Sequence, residues 1–127
     1  MAKDRITIQR LLAKREHIEK GHEKQAEMYI KSLDGTVHVQ SPPRDVVLDA
    51  LDAESSTEGN RMLVYEAVTE PNLKDAELHK EFGVAHSPDL IVDKLFNLGE
   101  VAGIATEVMK MNGFDGKSTQ LVDELKN

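Results

Sequence analysis

Two runs of alternating residues meet at Asp34-Gly35, and that junction constrains the fold more than any other feature of the chain. Upstream, Met28, Ile30 and Ser32 alternate with Tyr29, Lys31 and Leu33; downstream come Thr36, Val37, His38 and Val39. Period two is the period of a strand, whose successive side chains point to opposite faces. Asp-Gly supplies the positive φ that a type I′ turn needs at both central residues. A two-residue loop there pairs Ser32 with Val37 and Ile30 with Val39. Met28, Ile30, Val37 and Val39 then share one face. A lone hairpin is barely stable in water, so that face has to pack against other elements.

The rest of the chain supplies helices. Ile8, Leu11, Leu12, Arg15 and Ile18 recur at helical spacing, a narrow stripe that fades into EKGHEKQ around Gly21. Glycine inside a helix costs about 1 kcal/mol relative to alanine, and an isolated helix of this length is marginal in water. Pro42-Pro43 closes the second strand, and Arg44 to Asp52 reads as a short helix with Val47, Leu48 and Leu51 inward. ESSTEGN, residues 54–60, reads as a polar connector, with Asn60 capping a helix that carries Met62, Leu63, Tyr65 and Val68. Pro71 stops that helix, because the residue before a proline is pushed out of the α region. Asn72 caps a further helix to Lys80, anchored by Leu73 and Leu78, with Gly83 as its stop. Ser87-Pro88-Asp89 is a cap, a proline at the first position and an acid in the first turn. Ile91, Leu95 and Leu98 follow. Gly99 separates them from a helix striped by Val101, Ile104, Val108 and Met111, which Asn112-Gly113 ends. Ser118 caps a last helix with Leu121, Val122 and Leu125. The expected fold is α+β: a predominantly helical single domain with one β-hairpin near the N-terminus. Residues 1–25 form a charged helical arm, and residues 26–127 form a helical domain carrying the hairpin at 26–40.

A chain of 127 residues is one domain by size and long enough for a core without staples. It has no cysteine, which excludes disulfides and thiolate metal sites and suits a reducing cytoplasm. No apolar run approaches the roughly 20 residues that span a bilayer, and MAKDRITIQR lacks the apolar core of a signal peptide. Aromatic residues are 4% of the chain, so the core is aliphatic and base-stacking platforms are disfavoured. The net charge of −7 is uneven: residues 3–24 hold seven bases against four acids, which leaves −10 on the remainder. An acidic body repels a phosphate backbone. The basic arm suits an acidic partner or its own body, or is simply a solvated helix face.

No constellation carries chemistry. His17 and His22 are five apart, about 140° around a helix, so they share no face for a metal. Asp75 and His79, four apart, read as a surface ion pair. The paired acids Asp49/Asp52, Glu77/Glu81, Asp89/Asp93 and Asp123/Glu124 read as solvated faces, since nothing signals the separated pKa values that acid–base work needs. Asp115-Gly116-Lys117 lacks the alternation of a calcium loop. Gly99 and Gly103 have small-x-x-x-small spacing, which in polar surroundings reads as close helix packing or helix entry. Met109 and Met111 read as core filling.

Several segments resemble the phage tail assembly chaperones of Gram-positive phages and defective prophages, the XkdN-like family. They are LVYEAVTEPNLKDAEL at 63–78, SPDLIVDKLFNLGEVAGIATEVMKMNGF at 87–114 and LVDELKN at 121–127, with LLAKREHIEK before the hairpin. The resemblance covers the chain from Leu11 to Asn127. It implies a non-enzymatic protein without cofactor or metal, made in the host cytoplasm and absent from the mature virion. Its implied partners are the tape measure protein and the tail tube protein, and some members of the family self-associate. No nucleic acid or membrane enters that role, and the family has no catalytic residues to carry over. A holdase for a helical client needs exposed amphipathic surface, and helix-in-groove contact is the natural mode. On this chain the expected protein-binding residues are Ile8, Leu11, Leu12 and Ile18. The competing classes are a small regulatory or nucleic-acid-associated protein, with the arm as its contact, and an enzyme with an unrecognised site. Salt distinguishes the former, because phosphate contacts weaken steeply with ionic strength.

Overall fold

The structure, a computed structural model, describes residues 4–114. Within them, seven α-helices and a three-stranded antiparallel sheet make an α+β domain. The helix expected after Ser118 lies outside the described residues.

The hairpin joins β1 (Gln25–Ile30) to β2 (Gly35–Gln40), but in a different register from the one Asp34-Gly35 suggested. Met28 faces Val37 and Ile30 faces Gly35, so Ile30 meets a residue four positions before Val39. The loop starts earlier, with a 3-10 turn at Lys31–Leu33, and Asp34 rather than Gly35 takes the left-handed conformation (φ 49°, ψ 51°). Aspartate tolerates that region, and the Tyr29 hydroxyl donates to its Oδ1 at 2.7 Å. The displacement is even, so parity survives: Ile30, Val37 and Val39 are buried and Met28 is half-buried.

The sheet also has a strand that periodicity did not reveal. The helix α4 (Ser56–Ala67) ends three residues before the position the proline stop implied. Val68–Glu70 forms β3 and pairs with β2, with Val68 opposite Val39 and Glu70 opposite His38. β2 would otherwise present a row of unpaired backbone groups on that side. Pro71 already biases Glu70 towards an extended backbone.

α4 begins earlier than expected. Ser55, not Asn60, is its cap, accepting from the Glu58 N–H at 3.1 Å, so most of ESSTEGN is helical. Gly59 is what allows this: a Cβ there would stand 2.5 Å from the carbonyl oxygen of Ala50 in α3 (Arg44–Leu51). That close approach turns Ala50 and Val47 inward. Leu48 and Leu51, expected in the core, are instead 57% and 54% exposed.

α5 is Ala76–Glu81, capped by Asp75 rather than Asn72. It ends in a Schellman turn, with Gly83 at φ 71° and bonds from Gly83 to Lys80 and from Val84 to His79. Pro88–Leu90 makes a 3-10 turn into α6 (Ile91–Leu95). The break before α7 (Leu98–Met111) falls at Phe96-Asn97, not at Gly99. Asn97 and Glu100 form a reciprocal capping box, and Gly99 lies inside the helix. α4 lies centrally, packed on α3, α6, α7 and β3. Val39, Val64, Leu73, Val84, Ile91, Val92, Ile104 and Val108 fill the core, with Phe96 as the buried aromatic ring. Arg61 ties α4 to α6 through Asp93 at 2.9 Å and Asp89 at 3.6 Å, so that acidic pair holds a cation instead of facing water alone.

Glu100 also ties the hairpin loop to α7. Its carboxylate accepts from the Asn97 N–H (3.0 Å), the Ser32 N–H (3.0 Å) and the Ser32 hydroxyl (2.8 Å). The Asn97 N–H first, then the Ser32 N–H and hydroxyl, hold this carboxyl below its ordinary value. A carboxyl depressed in the folded state stabilises the fold above its unfolded pKa, and that stability is lost as pH falls through the folded pKa. The Glu100→Gln variant is therefore expected to be less stable than the parent at neutral pH. The gap should close as pH drops below about 4.3, the ordinary glutamate value. Urea unfolding across that range checks it; a gap that does not change with pH would rule the clamp out.

Candidate functional site

The N-terminal arm consists of two short helices. Thr7 caps α1 (Ile8–Ala13), its hydroxyl accepting from the Arg10 N–H at 3.3 Å. Lys14 interrupts the helix (φ −105°, ψ 17°), and α2 runs from Arg15 to Lys20. The helix expected from the spacing of Ile8 to Ile18 is thus broken in the middle. Neither half contains a buried residue. The expected binding residues Ile8, Leu11 and Leu12 stand on α1 and Ile18 on α2, with exposures of 71%, 43%, 69% and 39%. Ile6 is exposed beside them. Arg15 and Glu19 pair at 3.2 Å on the open surface, where such a contact contributes well under about 1 kcal/mol. The chain then enters β1 at Gln25, next to a bond from Ser41 N–H to the Lys24 carbonyl at 2.8 Å.

A groove of about 870 Å³ opens where the arm meets the body. Its walls are residues 21–24, residues 40–44 with Val47 and Leu48 where β2 turns into α3, and Met111, the last residue of α7, with the three residues that follow it. Exposed Leu48 and Phe114 stand on it. Sequence reasoning missed this surface because helical spacing assigned Leu48 to the core. The only signal for Phe114 was its place just after the Asn112-Gly113 stop.

The two candidate pairs among the polar residues resolve differently from the expectation. His79 does not pair with Asp75 on the surface; it is buried, and its Nε2–H donates to the Leu73 carbonyl at 2.6 Å. Asp75 caps α5 instead, because its carboxylate lies beside the free N–H groups of the first turn. Burial raises the Tyr65 hydroxyl pKa, and the bond to Asp34 raises that of Tyr29. Among the described residues, no three His, Asp or Glu side chains gather as metal ligands, and no helix is long and apolar enough to cross a membrane. A Cβ at Gly103 would meet nothing within 4 Å and one at Gly99 only the Asn97 side chain, so the small-residue spacing marks helix entry and not close packing. Met109 and Met111 are half-buried against the core.

What the arrangement offers is surface: two N-terminal helices with exposed apolar side chains, and a groove on which Leu48 and Phe114 stand exposed. A family model described as phage XkdN-like tail assembly chaperone protein matches residues 3–126. No curated protein and no solved structure matches the chain.

Proposed function

The chain belongs to the phage XkdN-like tail assembly chaperone family, and from that premise we propose that it binds the tape measure protein and keeps it soluble until tail tube subunits polymerise around it. It works in the host cytoplasm, catalyses no reaction and is left out of the finished virion. The contact is the arm, residues 1–25, through Ile8, Leu11, Leu12 and Ile18, and the body from residue 26 onward carries it.

The observation that carries this reading is that α1 and α2 bury nothing of their own, although they hold four apolar side chains at helical spacing. An amphipathic helix left open in this way gains stability only when another polypeptide covers it. Such cover contributes up to about 1.5–3 kcal/mol for each large aliphatic side chain.

The test is co-expression with a helical tape measure fragment. The parent chain is expected to keep the fragment soluble, and the Ile8→Asp/Leu12→Asp double variant is expected to lose roughly 10²-fold or more in affinity. Both positions are exposed, so the variant's own stability should stay within about 0.5 kcal/mol of the parent. Equal client solubility with the parent, the double variant and a chain lacking residues 1–24 would end the assignment of the arm. A fragment that precipitates with the parent as it does alone would end the assignment of the client.

A further inference from the structure

We propose that the outer edge of β1 pairs with β1 of a second copy, antiparallel and with Met28 opposite Met28, so that the two sheets join into one. β1 is an end strand of the sheet, and the ladder shows which of its backbone groups are left open. Bonded pairs alternate along an antiparallel ladder. The bond from the Ser41 N–H to the Lys24 carbonyl fixes the phase. Ala26, Met28 and Ile30 therefore exchange bonds with β2, and the N–H and C=O groups of Gln25, Glu27 and Tyr29 point away from it. None of those outward groups has a hydrogen-bond partner among the described residues. The opposite edge is blunted: β3 is three residues long, ends on Glu70 and is followed by Pro71. β1 is six residues long, with no proline, no bulge and one charged side chain, Glu27. An unprotected edge of this kind is a template for another extended chain.

A second copy is the occupant because the strand complements itself in one register. Two-fold pairing through Gln25, Glu27 and Tyr29 admits a centre at Ala26, Glu27 or Met28. A centre at Glu27 sets two carboxylates directly opposite each other, which is destabilising. A centre at Ala26 shifts the pairing towards the end where Glu107, Lys110 and Met111 of α7 stand beside Lys24, Gln25 and Ala26. A centre at Met28 avoids both. It sets Glu27 opposite Tyr29 of the second copy, with that copy's Lys31 a diagonal step away. Lys31 has no ion-pair partner of its own among the described residues. The two half-buried Met28 side chains then meet on the core face, a contact to which methionine adapts. α7 leaves the approach clear. Gly99, Ala102, Gly103 and Thr106 lie on its flank turned away from Val101, Ile104, Ala105 and Val108, and they are exposed. A Cβ at Gly103 would meet nothing within 4 Å, so that flank has room for the helix layer a second copy brings with its own strand.

Sedimentation of the full chain over a concentration series is expected to show a monomer–dimer equilibrium. Hydrogen exchange should slow at the Glu27 and Tyr29 amides as concentration rises, and stay fast at Gln25. The chain has no cysteine, so Met28→Cys supplies one thiol per copy. Opposite residues of a non-bonded pair have Cα atoms about 4.5 Å apart, within the span of a disulfide. Met28→Cys should therefore oxidise to a covalent dimer. Ala26→Cys, about 13 Å from its counterpart in this register, should not. Glu27→Pro removes an N–H that β2 does not use, so the variant should keep the parent's far-UV spectrum and lose at least about tenfold in association constant. Ile8→Asp/Leu12→Asp should dimerise as the parent does, because the arm takes no part in the pairing. A parent that stays monomeric at millimolar concentration would overturn the proposal, as would a folded Glu27→Pro variant that dimerises like the parent. Cross-linking through Ala26→Cys in place of Met28→Cys would overturn the register. If the arm variant is the one that becomes monomeric, the arm joins the copies and the pairing of β1 is wrong.

Discussion

Leu73→Ala is expected to cost about 2–5 kcal/mol, the range for truncating a fully buried leucine, and to lower the melting temperature by on the order of 10 °C. The reason lies in what else holds that stretch down. Leu73 is wholly buried, whereas Thr69, Glu70, Pro71, Asn72, Lys74, Asp75, Ala76 and Glu77 are exposed. Between Val68 and the half-buried Leu78 it is the one side chain pinned in the core. Its carbonyl accepts from the ring of His79, which sits 6.4 Å from the Tyr65 ring, centroid to centroid. Truncation therefore leaves a cavity and also loosens the acceptor that orients a buried imidazole. Hydrogen exchange should show the loss first across residues 72–84, before α4 and α7 are affected. His79→Leu leaves that same carbonyl unsatisfied, at about 1–3 kcal/mol. Since both changes act on one bond, the double variant should cost less than the sum of the singles. Strict additivity, or a Leu73→Ala variant as stable as the parent, would show that the segment is held by something other than this pin.

The features legible in the sequence were those decided within a few residues. Gly83 and Gly113 stop their helices because each turn needs a positive φ at the residue after the C-cap, Phe82 and Asn112 respectively. The buried face of the hairpin was legible for a sturdier reason. Strand parity survives any even shift, so Ile30, Val37 and Val39 share a face in either register although the pairing itself was misread. Three of the misses depend on contacts that local periodicity does not encode. Val68 to Glu70 became a strand because β2 lay alongside with unpaired backbone groups, which no local period encodes. His79 went inward to meet the Leu73 carbonyl, while the i, i+4 spacing pointed only to Asp75. Leu48 and Leu51 went outward because α3 presses its smallest inward residue, Ala50, against α4. Ile8, Leu11, Leu12 and Ile18, singled out by their spacing, are exposed, although Lys14 breaks the helix between them. The groove was not legible, since three segments from different parts of the chain form it.

Gly59→Ala and Gly103→Ala are expected to shift stability in opposite directions, although both exchange a helical glycine for the best helix former. Propensity alone favours each change by about 0.8–1.0 kcal/mol. At Gly103 the new methyl group meets nothing within 4 Å on the exposed side of α7, so the helix keeps the gain and the melting temperature rises. At Gly59 the methyl carbon would stand 2.5 Å from the Ala50 carbonyl oxygen and 3.4 Å from its carbon. Those are main-chain atoms of a neighbouring helix and cannot rotate away as a side-chain tip can. α3 and α4 must separate. Overpacking of this kind typically costs about 1–3 kcal/mol, occasionally more, so the clash outweighs the propensity gain and the variant is destabilised. A larger residue such as leucine at this position should prevent the two helices from docking at all. Thermal unfolding of the two alanine variants beside the parent decides the matter. If Gly59→Ala is as stabilising as Gly103→Ala, then α3 and α4 do not meet at Ala50, and the outward turn of Leu48 and Leu51 loses its cause.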